Sequence, residues 1–300
     1  NIAVQGAAKR ARARDPRRTR ILCPDTEHAA VRDTVLAMAE QGFDPVLLPV
    51  AADGLIDAHI ARGSVDSHTA LVATMLVNNE IGVIQPVEAL AAMAHDAGAL
   101  FLCDAVQGFG RVPLPPEADM IAVSAHKVHG PKGIGALWLR DGLDLPPLLH
   151  GGGQEGGLRS GTLSPALCAG FGAAAKLLST HAQADAAHVE ALWTRALELF
   201  SGWTINGSVE QRYHGNLNLR REGLDAARLL SDCRDVAFSL GSACASGSGR
   251  PSHVLQAIGL SRTMAQGSIR LGFGRYTDMK DLERAAEAIN RAADAQQAAS

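Results

Sequence analysis

Residues 99–107, ALFLCDAVQ, join a run of five residues without a polar side chain to an acid, and this junction decides the fold. The run 99–103 is short for a helix and apolar throughout, so it reads as a strand buried on both faces. Residues 70–77 (ALVATMLV) and 120–123 (MIAV), on either side of it, have the same character. So do 45–49 (PVLLP), the short run 21–23, and 135–139 (GALWL). Helical patterns fall between them. Residues 27–41 carry Val31, Val35, Leu36 and Met38 at helical spacing and stop at Gly42. Residues 86–97 are amphipathic and begin with Pro86, a favoured first helical residue. Buried strands alternating with helices predict an α/β fold, with a largely parallel sheet covered by helices on both faces.

Polar groups follow three of these strands directly. Asn78 and Asn79 come after 70–77, Asp104 after 99–103, and Ser124, His126 and Lys127 with 120–123. Ligands of open α/β sheets bind beyond the carboxyl ends of the strands, so three strands are expected to deliver chemistry to one rim. Asp104 reads as a helix N-cap, as a carboxylate pairing with a protonated pyridine nitrogen, or as both. Gln107 is close enough in sequence to reach the same ring. In SAHKVHGPKGIGALW (124–138), Lys127 reads either as a surface lysine in a Gly-rich turn or as a Schiff-base lysine near a phosphate. Lys132 competes with it but lies between Pro and Gly, away from the strand. GPKGIG lacks the spacing of a nucleotide-binding P-loop. His28, in PDTEHAAV, opens a helix, where a lone histidine is ordinarily a cap or a surface residue.

Beyond the triple glycine at 151–153 the texture changes. Helical patterns at 164–178 and 185–200 lead to short strands at 216–219, 236–240 and 268–273, and then to a charged helix from Thr277 onward. This predicts a large domain over 1–180 and a smaller C-terminal α+β domain over 181–300, divided within 179–184. GGGQEGGLRSGT (151–162) is similar to an anion-binding loop, but no strand precedes it as a dinucleotide fingerprint requires.

The formal net charge of −3 gives no bulk argument for nucleic acid or a membrane surface. The basic run 9–20 (KRARARDPRRTR) reads as a solvated helix end and loop, with docking of an acidic protein as its alternative. No apolar stretch is long enough to span a bilayer, and no signal peptide opens the chain. It begins without Met inside a helical pattern, the expected look of an N-terminally truncated chain. Five scattered cysteines, with no CxxC pair and no zinc-finger spacing, argue against disulfides and against a metal site. They fit reduced thiols in a cytoplasmic protein. Cys103 and Cys168 sit in apolar sequence and read as structural. Cys244, in SLGSACASGSGRPSHVL (239–255), lacks the apolar neighbours that bury this residue type. It reads either as an incidental cysteine or as a nucleophile on a mobile loop that now and then brings a thiolate to its target. Arg270, inside the apolar strand SIRLGF, requires a partner anion if buried, and a substrate carboxylate would serve. Arg275 lies nearer a turn and is expected to be exposed.

The stretches TEHAAV, VNNEIGVIQP, CDAVQ, SAHKVHGPKGIGALW, GGGQEGGLRSGT, SLGSACASGSGRPSHVLQAIG and SIRLGFGR stand in one order along the chain. Together they resemble the class V aminotransferase family, and within it the cysteine desulfurases of the iron–sulfur-cluster assembly type. The resemblance implies a fold-type I pyridoxal-phosphate enzyme that works as a homodimer on L-cysteine. It would leave L-alanine and a persulfide, which passes to a sulfur-acceptor protein such as an iron–sulfur scaffold. Lys127 would hold pyridoxal 5'-phosphate, His28 would stack on its ring, Asp104 would pair with the ring nitrogen and Gln107 would bond the ring oxygen. Asn79 would hold cofactor and substrate, Ser124 and His126 would bind the phosphate, and Thr162 would add a hydroxyl from the partner subunit. Arg270 would clamp the substrate carboxylate. Cys244 would accept the sulfur and would transiently meet an iron–sulfur cluster, with no resident metal. Neighbouring readings are a selenocysteine lyase, an aminotransferase, or a truncated relic without catalysis. The family carries an upstream Gly-Ala-Thr-like loop for the phosphate. It also commonly has His and Arg where this chain has Gln154 and Gly156, and Leu-Glu where it has Gly249 and Arg250.

Overall fold

A computed structural model describes residues 1–241 and 252–298. The chain divides into two compact units. The first comprises Asn1–Pro49, Ile56–Val77 and Gln85–Thr180, and the second comprises Val50–Leu55, Asn78–Ile84 and His181–Ser300. Two short excursions, 50–55 and 78–84, thus leave the first unit and fold with the second, which a single cut at 180 does not anticipate.

In the first unit, helix α1 (Ile2–Arg14) is Ala-rich and buries Ala3, Val4, Ala7, Ala8 and Ala11 at helical spacing. It leads into strand β1 (Arg20–Pro24), helix α2 (Ala29–Ala37) and strand β2 (Asp44–Leu48). A one-turn extension of α2 ends at Gly42, whose φ of 76° is the left-handed conformation that closes helices. Helix α3 (Ala58–Ser64), strand β3 (Thr69–Met75), helix α4 (Val87–Asp96), and strands β4 (Leu100–Asp104), β5 (Met120–Ser124) and β6 (Gly135–Leu139) follow. The sheet order is β2-β1-β3-β4-β5-β6. All pairs are parallel except β5 with β6. Every residue of β3 is buried, as a strand covered on both faces must be. Its core gathers Val4, Ile21, Val35, Met38, Leu71, Leu102 and Met120.

Four arginines of the basic run are held by internal contacts. Arg10 pairs with Asp144 at 3.0 Å, and Arg12 donates to the Gln41 carbonyl and covers the Phe43 ring. Arg18 donates to the carbonyls of Thr69 and Ala97, while Arg20 bridges Asp44 and Asp66. These contacts order the entry into β1, and Arg14 and Arg17 remain largely exposed, as a solvated helix end and loop would be.

Helix α5 (Pro165–Leu199) runs unbroken through the boundary between the units. The expected break at 179–184 is absent because residues 181–187 (HAQADAA) contain good helix formers and neither Gly nor Pro. The second unit continues with strands β7 (Thr204–Ile205) and β8 (Asn216–Arg220), helix α6 (Ala226–Asp232) and strand β9 (Ser239–Leu240). Helices α7 (His253–Ala257) and α8 (Arg262–Gln266), strand β10 (Ser268–Gly272) and helix α9 (Met279–Ala298) complete it. Its sheet order is β7-β8-β10-β9, with antiparallel pairs. No described helix is long and apolar enough to cross a membrane.

Candidate active site

The expected residues of the first unit follow the carboxyl ends of three strands, β1, β4 and β5, with β3 between the first two. Asp104 is the last residue of β4, 7% exposed, paired in register with Met75 and Ala122 on the flanking strands. Its Oδ1 accepts the Val106 N–H at 3.0 Å. No helix starts there, so the N-cap reading gives way to a short Asx-type turn that aims the carboxylate. Burial raises the pKa of this carboxyl, against the Val106 hydrogen bond. His28 caps α2, its Nδ1 accepting the Ala30 N–H at 3.1 Å, which leaves Nε2 to carry the ring hydrogen.

Lys127 ends a single turn, Ala125–Lys127, directly after β5. Two backbone features shape its loop. His129 has φ of 65°, rare for a residue with a side chain, and strain of this kind collects at functional turns. Gly130 lies so close to Ala125 that an added Cβ would stand 2.9 Å from its carbonyl oxygen. Ser124 Oγ and His126 Nδ1 are 2.8 Å apart. The His126 pKa is lowered by burial and then by the ammonium charges of Lys127 and Lys132, so this corner carries a positive potential that suits a phosphate. Arg111 donates to the Gln107 carbonyl and side chain and, at 2.6 Å, to the Lys127 carbonyl. It therefore locks the turn after β4 to the turn after β5. Thr162 is exposed, and its loop is closed by Gln154 Oε1 accepting the Gly161 N–H at 2.9 Å.

In the second unit, Asn79 and Arg270 meet: Arg270 Nη1 donates to the Asn79 carbonyl at 2.7 Å. Asn216 donates to the same carbonyl. Asn79 Oδ1 is buried without a hydrogen-bond partner, an arrangement that costs free energy until a donor arrives. Cys244 lies outside the described residues. Cys23 and Cys103 are buried, and burial pushes both thiol pKa values far up, which suits inert structural residues. Cys168 is exposed on α5, against its structural reading, because the apolar sequence around it lies on a helix whose faces there are largely open. Arg275, expected to be exposed, instead forms a bidentate pair with Asp185.

Sequence reasoning passed over Glu27 and Arg111. Glu27 is fully buried, its Oε1 accepts the Met75 N–H at 2.6 Å, and burial together with the nearby Asp104 charge raises its pKa. Its signal was an acid directly before His28. The Arg111 contacts cross between strand turns and have no local signature. A protonated pyridine nitrogen suits the buried Asp104 carboxylate, and a phosphate suits the Ser124–His126 corner. These residues fit pyridoxal phosphate.

Asp104→Asn tests the Asp104 environment without turnover. A carboxyl whose folded pKa is raised holds its proton more tightly when folded. Its contribution is fully present below the ordinary value of about 4 and is lost as pH rises through the folded pKa. The cofactor-free Asn variant is therefore expected to be more stable than the parent at pH 7, by about 1 kcal/mol. Near pH 4 the advantage should be smaller, and cofactor affinity should fall. Urea midpoints at the two pH values check this; a less stable variant at pH 7 would contradict the assignment.

Comparison with known proteins places this geometry in a family. The model of the Aminotransferase class-V family matches residues 1–285. A mitochondrial cysteine desulfurase of Eremothecium gossypii is 40% identical over 297 residues, covering 96% of this chain and 60% of that protein. The cysteine desulfurase IscS of Rickettsia bellii is 37% identical over 298 residues, covering 96% and 72%. This chain thus spans about three fifths of the mitochondrial relatives' length. Among solved structures, a NifS-like protein superposes with a TM-score of 0.86 at 29% identity, covering 97% of this chain and 80% of that one. SspA in complex with cysteine superposes with a TM-score of 0.79 at 33% identity, covering 93% and 79%. A parallel sheet carrying an acid, a lysine and a histidine at its strand ends, matched over nearly its whole length, makes this chain a member of the class-V aminotransferase family, among relatives named cysteine desulfurases.

Proposed function

We propose that the chain is the catalytic part of a pyridoxal-phosphate-dependent cysteine desulfurase that moves the sulfur of L-cysteine to Cys244 and leaves L-alanine. The observation that carries this reading is the buried Asp104 carboxylate at the end of β4, beside the β5 turn that holds Ser124, His126 and Lys127. The family's cysteine desulfurase names and the cysteine complex among its structural neighbours support the substrate.

When bound, the cofactor supplies an aldehyde for an amine and an electron-withdrawing ring that eases removal of the substrate's α-proton. Lys127 would anchor that aldehyde, and its Nζ would take the substrate's α-proton. Asp104 would keep the ring nitrogen protonated, Gln107 would bond the ring oxygen, and Ser124 and His126 would hold the phosphate. His28 offers its ring face, and its use as a helix cap fixes its plane. Arg270 takes the substrate carboxylate, and Asn79 presents the acceptor that lacks a donor. The sulfur step balances within the protein. The Cys244 thiolate forms an S–S bond as the substrate's C–S bond breaks. That bond's electron pair remains with Cβ, which takes a proton, so no outside oxidant or reductant enters. The same proposal extends to a homodimer, in which the exposed Thr162 serves the partner's phosphate, and to a sulfur-acceptor protein that unloads the persulfide.

A single turnover tests the reading. Protein loaded with pyridoxal phosphate and given one equivalent of L-cysteine, without reductant, is expected to yield alanine and a one-sulfur mass gain on the Cys244 peptide in equal amounts. Alanine without that mass gain, or no alanine at all, would refute it.

A further inference from the structure

A buried polar chain in the second unit serves none of the roles above. Asn78 Oδ1 accepts the N–H groups of Glu80 and Ile81 at 2.9 and 3.1 Å, so the turn bearing Asn79 is built by its own side chain. The next residue, Glu80, is 4% exposed. Its carboxylate accepts the Ser252 hydroxyl at 2.5 Å, and its carbonyl accepts Asn218 Nδ2 at 2.9 Å. Asn218, fully buried on β8, also donates to the Gly241 carbonyl at 3.2 Å. The Gly241 N–H donates to the Ser268 carbonyl, and an added Cβ there would stand 2.8 Å from Leu255 Cδ1 and 2.9 Å from Ser268 Cβ. Ser252 in turn caps α7, accepting the Leu255 N–H at 3.1 Å.

Gly241 and Ser252 are the described residues on either side of Cys244 in the sequence. Both are tied to one residue, Glu80, the first through Asn218 and the second directly. Behind Asn218 the chain continues through Asn206, which donates to Asn218 Oδ1 and Ser268 Oγ and accepts from Arg220. Buried networks satisfied in this way are rigid, and removing one member leaves the others desolvated and unpaired. Burial by itself is no reason to hold an acid here, since burial raises the Glu80 carboxyl pKa against the Ser252 bond and the charges of His253 and Arg270. An apolar residue would fill the space without that cost.

We infer that Glu80 is a positioning residue: its carboxylate, through Ser252, holds the C-terminal end of the segment carrying Cys244 to the turn that presents Asn79, while its backbone carbonyl, through Asn218, meets the other end. The inference rests on the proposed sulfur transfer, but its first test does not. In the cofactor-loaded protein without cysteine, alkylation of Cys244 by iodoacetamide is followed by peptide mass mapping. Glu80→Ala and Ser252→Ala are each expected to change that rate at least fivefold, and Glu80→Gln, which keeps an acceptor for Ser252, to restore it to within twofold. Under turnover, Glu80→Ala is expected to lower kcat at least tenfold, leaving the KM for cysteine and the bound-cofactor absorption within about twofold. The Glu80→Ala/Ser252→Ala double variant should be no worse than the single ones. A Cys244 alkylation rate unchanged in both alanine variants overturns the inference, whatever the activity. So does a kcat loss that Glu80→Gln fails to rescue. If the parent protein makes no alanine while alkylation responds as stated, it is the desulfurase reading that fails.

Discussion

Lys127→Ala is expected to cost on the order of 10³-fold or more in alanine formation from cysteine, because one residue performs two tasks. In the proposed reaction its amine would anchor the cofactor, and the same amine would carry the α-proton. Three features hold it in place. The turn Ala125–Lys127 follows β5 without a spacer, Arg111 grips the Lys127 carbonyl at 2.6 Å, and the tight approach of Gly130 to Ala125 closes the loop. The substitution removes none of these contacts, since all are backbone contacts around the side chain. The variant should therefore fold with an unchanged thermal midpoint and lose the long-wavelength absorption of the anchored cofactor. Added small amines are expected to restore part of the proton transfer. Full activity in Lys127→Ala, or an intact absorption band, would transfer the anchoring role to Lys132 and break the proposed site.

Cys244→Ser separates the desulfurase from its neighbours in the family. A serine hydroxyl is ionised far less than a thiol near neutral pH and is a poor nucleophile toward sulfur. Sulfide release in the presence of a reductant is therefore expected to fall on the order of 10³-fold. Cofactor absorption should persist, because the residues proposed to hold the cofactor, Asp104, Ser124 and Lys127, are untouched by the substitution. Among the other cysteines, Cys23 and Cys103 are buried inside the first unit with raised pKa values and Cys233 is buried in the second, whereas Cys168 is exposed on α5, so Cys168→Ser serves as the control and should leave sulfide release unchanged. Unchanged turnover in Cys244→Ser would favour a lyase or an aminotransferase, in which no protein thiol attacks the substrate.

The central strands were legible because a strand covered on both faces has to be largely apolar, and β3, β4 up to Asp104 and the start of β5 are. Helix α3 was passed over. Its seven residues, AHIARGS, bury only Ala61, so they show too little periodicity, and the Asp57 cap was the one available signal. Strand β9 is shorter than the apolar run 236–240, since only Ser239 and Leu240 find partners on β10. The division of the chain was half legible. The change of texture near 180 is visible in composition. The excursions 50–55 and 78–84 are not, because Ile81 and Val83 look like any apolar residues until they pack on Val254, Leu255 and Ile258.

The sequence by itself determined the α/β class, the strand ends that carry Asp104 and Lys127, and the family, since these depend on local apolar runs and on motif order. Only the tertiary structure decided which acids are buried, that Arg111 joins two strand turns, that Arg270 meets Asn79, and that Glu80 links Gly241 to Ser252. The physical reason is range. Strand and helix patterns arise within a few residues, whereas these contacts join segments from 16 to 191 positions apart, brought together by the packing of the core.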